Sequence, residues 1–308
     1  MESKIIIGTA LKGHVRFYLG DTTKMVNDAQ KIHDMWPTSL AALGRVMFIT
    51  ACMGLQQKDT SESITTTING GGTIGTIMVS ANSNGDVKGF VGDNHLYLKY
   101  NDSNKLAVGL VVGTNGYLKV LRNLKLKTGY TSEVALRTGE IGDDFAYYFN
   151  VSEQRPSIVS VGVLVDTDYS CKSAGVLFIE LLPNHEEEDI IYLEELSKKL
   201  EPISSVILKD NDLNKYIKTL FDDAEVLEEH EVRFHCDCSK ERFLSNLLTL
   251  SKDDIDEITK DGHIEIKCEF CGKEYKYTKE DIDLLLEYAN RKNWNKISRN
   301  CCTDGGSN

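Results

Sequence analysis

The sequence has 308 residues, of which 41% are hydrophobic and 27% are charged, and its formal net charge is −12. This composition suits one large or two to three small domains, and the acidic balance argues against a nucleic-acid binder because phosphate contacts need a basic surface. No run of 18 apolar residues indicates a membrane span, and the N-terminus lacks the pattern of a signal peptide. We therefore expect a cytoplasmic protein with neither a nucleic-acid nor a membrane partner.

Residues 1–183 predict a large, sheet-rich α+β domain with buried helices. Two short β-type runs, Lys4–Leu11 and Val15–Leu19, flank a polar turn and predict a hairpin. A helix is expected from about Thr23. The next helix, Leu40–Gln56, is apolar nearly all round, which is typical of a helix buried inside a domain; its length and the charge of Arg45 argue against a membrane span.

From Ser63 onwards the apolar residues alternate with a period of two, which predicts an antiparallel sheet. The expected strands are Ser63–Asn69, Ile74–Ser80, Val87–Val91, Leu96–Tyr100, Lys105–Val112, Tyr117–Leu124 and one that begins at Glu133–Leu136. Two strongly apolar runs, Ile158–Asp166 and Gly175–Leu182, predict central strands. The cluster Gly70–Gly72 lacks the residues that complete a phosphate loop and predicts a tight turn or close backbone packing.

Three carboxylates and two isolated cysteines are weaker candidates for chemistry. Glu140, Asp143 and Asp144 begin a predicted helix, Gly139–Phe149, where negative charge complements the helix dipole. No His, Ser or Cys partner accompanies them in sequence, so capping is the favoured interpretation. Cys52 is expected in the core, and Cys171 is expected as an exposed thiol in a polar loop.

Residues 184–231 predict an acidic helical linker. This segment holds 15 Asp or Glu and 5 Lys, a net charge of −10. Two narrow apolar stripes, around 190–200 and 213–221, predict two weakly amphipathic helices. Because like charges repel and narrow stripes bury little apolar surface, we expect this segment to be metastable and to depend on docking to its neighbours.

Residues 232–290 predict a small zinc-binding domain, and a polar tail with Cys301 and Cys302 occupies residues 291–308. Cys236-x-Cys238, then 29 intervening residues, then Cys268-x-x-Cys271 supplies four thiolates. Such a set completes a tetrahedral shell around one Zn²⁺ and leaves no open position for substrate, which disfavours a zinc enzyme. His235 and His263 are less favoured alternative ligands.

The first half of this pattern, Cys-x-Cys, leaves two hypotheses open. The zinc is purely structural, or its thiols also respond to oxidants. If the metal were lost and each near pair became a local disulfide, the new bonds would close only very short loops and would replace little of the lost cross-link. Oxidation would then unfold this end of the chain, because structural zinc contributes roughly 10–16 kcal/mol and a domain is stable by only about 5–15 kcal/mol.

Several segments together resemble the heat shock protein 33 family of redox-regulated chaperones. The cysteine pattern matches the family's zinc signature, and the resemblance extends over about residues 4–290. The segments that carry it besides the cysteines are Met25–Gln30, Trp36–Arg45, Asp86–Gly89, Gly139–Phe149, Ser152–Gln154 and Ser239–Phe243.

The resemblance implies a holdase chaperone that works without ATP and is not an enzyme. Zn²⁺ on Cys236, Cys238, Cys268 and Cys271 would keep the reduced form inactive. Oxidation would form the disulfides 236–238 and 268–271, release zinc, and unfold the zinc-binding domain and the linker. The exposed surface would bind unfolding client proteins during oxidative stress, and the oxidised form would be a homodimer. The client-binding residues are not identified by the sequence. The alternative is a constitutive protein-binding module with a purely structural zinc.

Overall fold

The computed structural model describes residues 2–103, 105–124, 129–247, 250, 254, 257, 258, 260, 263–278, 280, 281, 283, 284 and 287. The chain divides into two compact units, Met1–Cys236 and Asp237–Asn308. The predicted tail at residues 291–308, with Cys301 and Cys302, lies outside the described residues.

The first unit mixes strands and helices, as the sequence predicts. Its strands are β1 (Lys4–Ala10), β2 (Val15–Asp21), β3 (Ser63–Asn69), β4 (Ile77–Asn82), β5 (Asp86–Val91), β6 (Tyr117–Asn123), β7 (Tyr130–Ala135), β8 (Ser157–Val165), β9 (Cys171–Leu181), β10 (Glu225–Glu231) and β11 (Arg233–Phe234). Its helices are α1 (Thr23–His33), α2 (Pro37–Leu55), α3 (Val108–Val112), α4 (Gly142–Val151), α5 (Glu187–Lys199), α6 (Ile203–Lys209) and α7 (Leu213–Leu220).

Five strands form an antiparallel sheet in the order β10-β1-β2-β9-β8. The predicted N-terminal hairpin is β1–β2, and β9 is a central strand that is buried nearly throughout. The prediction of a central strand at Ile158–Asp166 is wrong, because β8 ends the sheet. Helices α2 and α4 cover one face of β8 and α6 contacts it as well. The strand is therefore apolar although, among the described residues, no strand pairs with its outer edge.

The second sheet has six strands in the order β11-β5-β4-β3-β6-β7, antiparallel except for the parallel pair β11–β5. Two predicted strands are wrong: Leu96–Tyr100 forms only the isolated bridge Lys99–Leu106, and Val108–Val112 is helical. Tertiary contacts explain this helix, because the carbonyls of Val111 and Val112 accept hydrogen bonds from the turn around the predicted glycine cluster.

The glycine cluster packs backbone against backbone, as predicted. The Gly72 N–H donates to the Val112 carbonyl over 3.0 Å. A Cβ atom on Gly72 would lie 2.1 Å from the Val111 oxygen, closer than atoms can approach. Only glycine therefore allows this turn to pack against α3.

Helix α2 lies in the main hydrophobic core of the unit. Pro37 occupies its first turn, where proline is favoured because its missing N–H needs no partner. Among the described residues, α2 is the one helix whose length and composition would allow it to cross a membrane, yet 89% of that stretch is buried inside the fold. Arg45 is accommodated because its Nη1 atom lies 2.7 Å from Glu140 Oε2. Burial in the core therefore accounts for its apolar composition.

The acidic segment 184–231 forms three helices and a strand, one helix and one strand more than the sequence indicates. Strand β10 pairs antiparallel with β1 at the edge of the five-stranded sheet. The helices cover an apolar face of that sheet, forming a second core of buried residues. This core comprises Ile6, Ala10, Val15, Phe17, Leu19, Leu177, Ile179 and Leu181 from the sheet and its turns, and Leu193, Ile203, Ile207, Leu213, Ile217 and Phe221 from the acidic segment.

Two glycines make room for α6 on this sheet. Gly162 of β8 and Gly175 of β9 lie directly opposite each other. A Cβ atom on Gly162 would lie 2.7 Å from Ser204 Oγ, and one on Gly175 would lie 2.1 Å from Ile207 Cδ1. The pair therefore forms a flat patch on which α6 docks.

The second unit is small. Its described elements are α8 (Lys240–Leu247) and the antiparallel hairpin β12 (Ile264–Lys267) and β13 (Glu274–Tyr277). Among the residues of this unit that the structure describes, Ile264 and Tyr277 form the buried apolar cluster, with five partly buried residues packed around them. So few buried side chains provide little hydrophobic stabilisation.

Replacing Gly175 by alanine tests the docking patch. We expect Gly175→Ala to weaken α6 docking by about 1–3 kcal/mol, a typical cost of overpacking, and so to accelerate amide hydrogen exchange in α6 by roughly 5- to 150-fold. Adding Ile207→Val removes the nearest clashing atom and is expected to restore part of the protection. If the effects of the two changes on amide exchange in α6 were simply additive, the patch would not be the feature that positions α6 on the sheet.

Candidate metal centre

The four predicted cysteines lie at the ends of strands. Cys236 and Cys238 follow β11, whose register is held by the His235 N–H donating to the Val87 carbonyl over 2.8 Å. Cys268 follows β12, and Cys271 lies in the turn that leads to β13. The two halves of the cysteine pattern therefore lie at the end of one strand and in one tight hairpin turn.

The hairpin turn fixes the direction of its two thiols. The Cys268 carbonyl accepts hydrogen bonds from the N–H groups of Cys271 (3.3 Å) and Gly272 (2.7 Å), and the Cys268 N–H donates to the Lys273 carbonyl (2.9 Å). Gly272 has a φ of 69°, a conformation that glycine adopts at little cost. These hydrogen bonds close the turn between the two cysteines and set their separation.

The structure brings all four predicted sulfur atoms together. The Sγ atoms of Cys236, Cys238, Cys268 and Cys271 all lie within 4.8 Å of one another, and those of Cys238 and Cys271 are 3.3 Å apart. A tetrahedral zinc ion with Zn–S bonds of about 2.3 Å requires sulfur–sulfur distances of about 3.8 Å. The donor set therefore fits one metal ion that prefers soft ligands, and the cluster contains neither His235 nor His263.

The electrostatics of the cluster favour occupation by a cation. Burial, together with the neighbouring thiols of Cys238 and Cys268, raises the pKa of Cys271 to about 11. Four thiolates in one small volume repel one another, so they need a compensating positive charge. A divalent cation supplies this charge and deprotonates the thiols that bind it.

Tyr275 is a neighbour of the cluster that the cysteine pattern does not identify. Its hydroxyl lies 3.1 Å from Cys238 Sγ and donates to the Cys238 carbonyl over 2.9 Å. Because hydrogen bonds around a metal centre orient its ligands, Tyr275 can fix the Cys238 side chain. The sequence offers only a weak signal for this role, the position of Tyr275 four residues after Cys271.

The remaining candidates have structural roles. Asp144 caps α4, accepting hydrogen bonds from the N–H groups of Arg137 and Ile141, while Glu140 precedes the helix and pairs with Arg45. Cys52 is fully buried, as expected. The expectation of an exposed Cys171 is wrong: it begins β9, is only 4% exposed, and burial raises its pKa to about 12.

Comparison with known proteins gives matches over nearly the whole chain. The family model described as Hsp33 protein matches residues 3–278. The 33 kDa chaperonin of Alkaliphilus oremlandii is 41% identical over 298 residues, covering 96% of this chain and 100% of the relative. That of Bacillus subtilis is also 41% identical, over 93% of this chain and 99% of the relative.

A solved structure has a similar fold. The crystal structure of the 33 kDa chaperonin from Thermotoga maritima, described as a heat shock protein 33 homolog, superimposes with a TM-score of 0.84 at 31% sequence identity. The match covers 94% of this chain and 99% of that one. The large sheet-rich fold is therefore shared with that chaperonin.

Removing one thiol tests the metal centre. We expect Cys268→Ser to weaken zinc binding by more than about 100-fold and to leave the unit Asp237–Asn308 with rapid amide exchange even under reducing conditions, because metal binding and folding are coupled. Tyr275→Phe is expected to weaken zinc binding by a smaller factor, about 10-fold, which is typical of groups that orient ligands. Competition with a chromophoric chelator measures both affinities.

The control for these variants is Cys171→Ala, which removes a buried thiol outside the cluster. Its zinc affinity is expected to equal that of the parent. An unchanged exchange rate in Cys268→Ser would contradict the assignment of the cluster as the element that holds the unit together.

Proposed function

This chain belongs to the Hsp33 family of chaperones, and from that premise we propose that it is a redox-regulated holdase that works without ATP. In the reduced form, one Zn²⁺ is bound by Cys236, Cys238, Cys268 and Cys271. Oxidation converts these thiolates to the disulfides 236–238 and 268–271 and releases the metal. The zinc unit and the acidic segment then unfold, and the exposed surface binds unfolding proteins.

The observation that carries this proposal is the combination of four clustered sulfurs with a very small core. Ile264 and Tyr277 are the only fully buried members of the hydrophobic cluster among the described residues of the second unit. A structural zinc contributes roughly 10–16 kcal/mol, much more than burying two such side chains at about 1.5–3 kcal/mol each. Loss of the metal would therefore remove most of the stabilisation of this unit.

The proposed disulfides do not restore that stabilisation. A disulfide stabilises mainly by closing a loop in the unfolded chain, and the effect grows with loop length. The pairs Cys236–Cys238 and Cys268–Cys271 close loops of only a few residues. The oxidised unit would retain two local bonds and no link between its two cysteine pairs.

The packing of the acidic segment supports the second part of the proposal, the exposure of a client-binding surface. Its helices bury apolar side chains of β1, β2 and β9, while the segment itself carries a net charge of −10. Apolar burial and charge repulsion therefore oppose each other in this segment. Its release would uncover a continuous apolar sheet face, the kind of surface that holds unfolded chains.

The proposed partners follow from the same surface. Unfolding client proteins bind by their exposed apolar residues, and a second copy of the chain forms a homodimer in the oxidised state. The net charge of −12 disfavours nucleic acid, and we propose neither a membrane partner nor catalysis. We assign the protein to the cytoplasm, where thiols are kept reduced until oxidative stress.

The decisive experiment follows aggregation of a thermally unfolding client by light scattering. The protein is added either reduced with zinc or oxidised by peroxide at elevated temperature, and released zinc is measured in the same samples. We expect suppression only after oxidation and in proportion to zinc release. Equal suppression in both states would instead support the alternative, a constitutive binding module with a structural zinc.

Asp189 tests the role of the acidic segment. Its carboxylate accepts a hydrogen bond from the Glu186 N–H (2.8 Å) and lies 2.7 Å from His14 Nδ1 in the β1–β2 turn, so it both caps α5 and ties it to the sheet. Asparagine keeps an oxygen acceptor but loses the negative charge that strengthens both contacts, and hydrogen bonds to charged groups contribute about 1 kcal/mol more than neutral ones. We therefore expect Asp189→Asn to lower the peroxide concentration for half-maximal activation by roughly fivefold.

Glu188→Gln is the matched control, because it removes one negative charge from the same helical turn. It is expected to shift the peroxide midpoint much less than Asp189→Asn does. Equal shifts in the two variants would attribute the effect to net charge and would contradict the role given to the Asp189 contacts.

A further inference from the structure

A cavity of about 720 Å³ runs along the outer edge of β8, within the first unit. Its floor is the strand from Ser157 to Val161. Helix α4 lines one side through Gly142 and Ala146, and helix α5 lines the other through Ile190 and Leu193. The cavity is therefore a slot beside a sheet edge, with one helix on each side.

The floor of the slot is an unprotected sheet edge. Among the described strands, β8 pairs with β9 alone, so every second residue directs its N–H and C=O groups away from the sheet. Exposed edges are usually blunted by charges, proline or bulges. Residues 157–161, which line the slot, contain neither a charged side chain nor a proline, and the bulge of β8 lies beyond them, between Leu164 and Val165; Pro156 precedes the strand. Such an edge is a template for pairing with another extended chain.

The two walls suit the alternating side chains of an added strand. On the α4 side the small residues Gly142 and Ala146 leave space, and on the α5 side Ile190 and Leu193 offer apolar contacts. The five residues from Ser157 to Val161 span about 17 Å as a strand. A segment of about five extended residues therefore fits along the slot.

Charge distinguishes between the possible occupants. The lining includes four carboxylates, which are Glu140, Asp143, Glu194 and Glu201, and two cations, which are Arg45 and Lys105. Glu140 pairs with Arg45 and Glu201 pairs with Lys209, so Asp143 and Glu194 face Lys105 and the lining stays negative. A second copy pairing through its own β8 would bring the same acidic lining against this one, and like charges oppose such contact. A polypeptide segment with basic residues would be attracted.

From this geometry we propose that the edge of β8 is a strand-addition site for extended polypeptide segments that carry Lys or Arg beside uncharged residues. The site is complete in the compact structure, so it operates in the reduced, zinc-bound protein. This goes beyond the proposed redox function, which concerns the surface uncovered when the acidic segment leaves. Because the site holds one short segment through backbone pairing, it does not by itself keep an unfolding client from aggregating, and the expected dependence of aggregation suppression on oxidation is unchanged.

A photoreactive benzoylphenylalanine at Ser160 locates the binding. The reduced, zinc-loaded protein is irradiated with a labelled peptide in which alternating Val and Thr are flanked by two Lys at each end. We expect at least fivefold more cross-linking than from the same probe at Thr131. Thr131 is the matched control because it is exposed and lies on β7, which ends the other sheet. Equal cross-linking at the two positions would overturn the proposal.

A charge-reversal pair tests specificity without disturbing the edge. Glu194 lines the slot, whereas its neighbour Glu195 lies on the same helix and pairs with Lys199. We expect Glu194→Lys to weaken binding of the Lys-flanked peptide about 3- to 10-fold in fluorescence anisotropy at low salt. Glu195→Lys, with the same change in net charge, is expected to change it less than twofold.

A peptide with Glu flanks completes the experiment. It is expected to bind the parent protein at least about tenfold more weakly than the Lys-flanked peptide. Equal losses for Glu194→Lys and Glu195→Lys, or equal affinities for the two peptides, would overturn the proposal. Since every arm uses reduced protein, these outcomes are independent of whether oxidation activates the chaperone.

Discussion

The sulfur atoms of Cys236, Cys238, Cys268 and Cys271 lie within 4.8 Å of one another, and three of these four cysteines belong to the unit Asp237–Asn308. The described part of this unit buries only Ile264 and Tyr277 in its apolar cluster. Stabilisation by metal coordination differs from apolar burial in one essential respect, because it depends on the oxidation state of four atoms. A unit held in this way can be destabilised by chemistry at a single site, without any change of temperature.

Apolar burial provides the main stabilisation of the first unit. In the acidic segment, repulsion between like charges opposes this stabilisation most strongly. The segment covers a sheet face with six buried apolar side chains, five from its three helices and one from Phe221, yet it carries a net charge of −10. Small local features hold it in place, among them the space at Gly162 and Gly175 for α6 and the contacts of Asp189 with Glu186 and His14. Each contributes little free energy, so the balance can be shifted by small changes.

The same sheet ends at β8. Helices pack on the faces of this strand, but no described strand pairs with its outer backbone edge. Helix α4, which packs on β8, also bounds one side of the slot, and α5 bounds the other side. The slot therefore combines an apolar strand, an open edge and an acidic lining. The reduced protein would then have a binding surface distinct from the sheet face beneath the acidic segment. Two surfaces with different recognition chemistry, backbone pairing and apolar contact, suit a protein that binds many unfolded sequences.

The sequence by itself determined the elements whose patterns arise locally. The period of two predicted most strands, and the all-round apolar run predicted the buried helix α2. The spacing within Cys236-x-Cys238 and within Cys268-x-x-Cys271 predicted two close pairs of thiols, because each pair lies in a short segment, and the donor type predicted that the pairs meet. Tertiary structure decided what depends on distant neighbours. Val108–Val112, within a run that predicts a strand, became a helix under contacts from the glycine turn. Strand β8 took the edge although its apolar run resembles a central strand, and Cys171 was buried. An apolar pattern reports how much of a residue is covered, whereas only the assembled fold determines which element covers it.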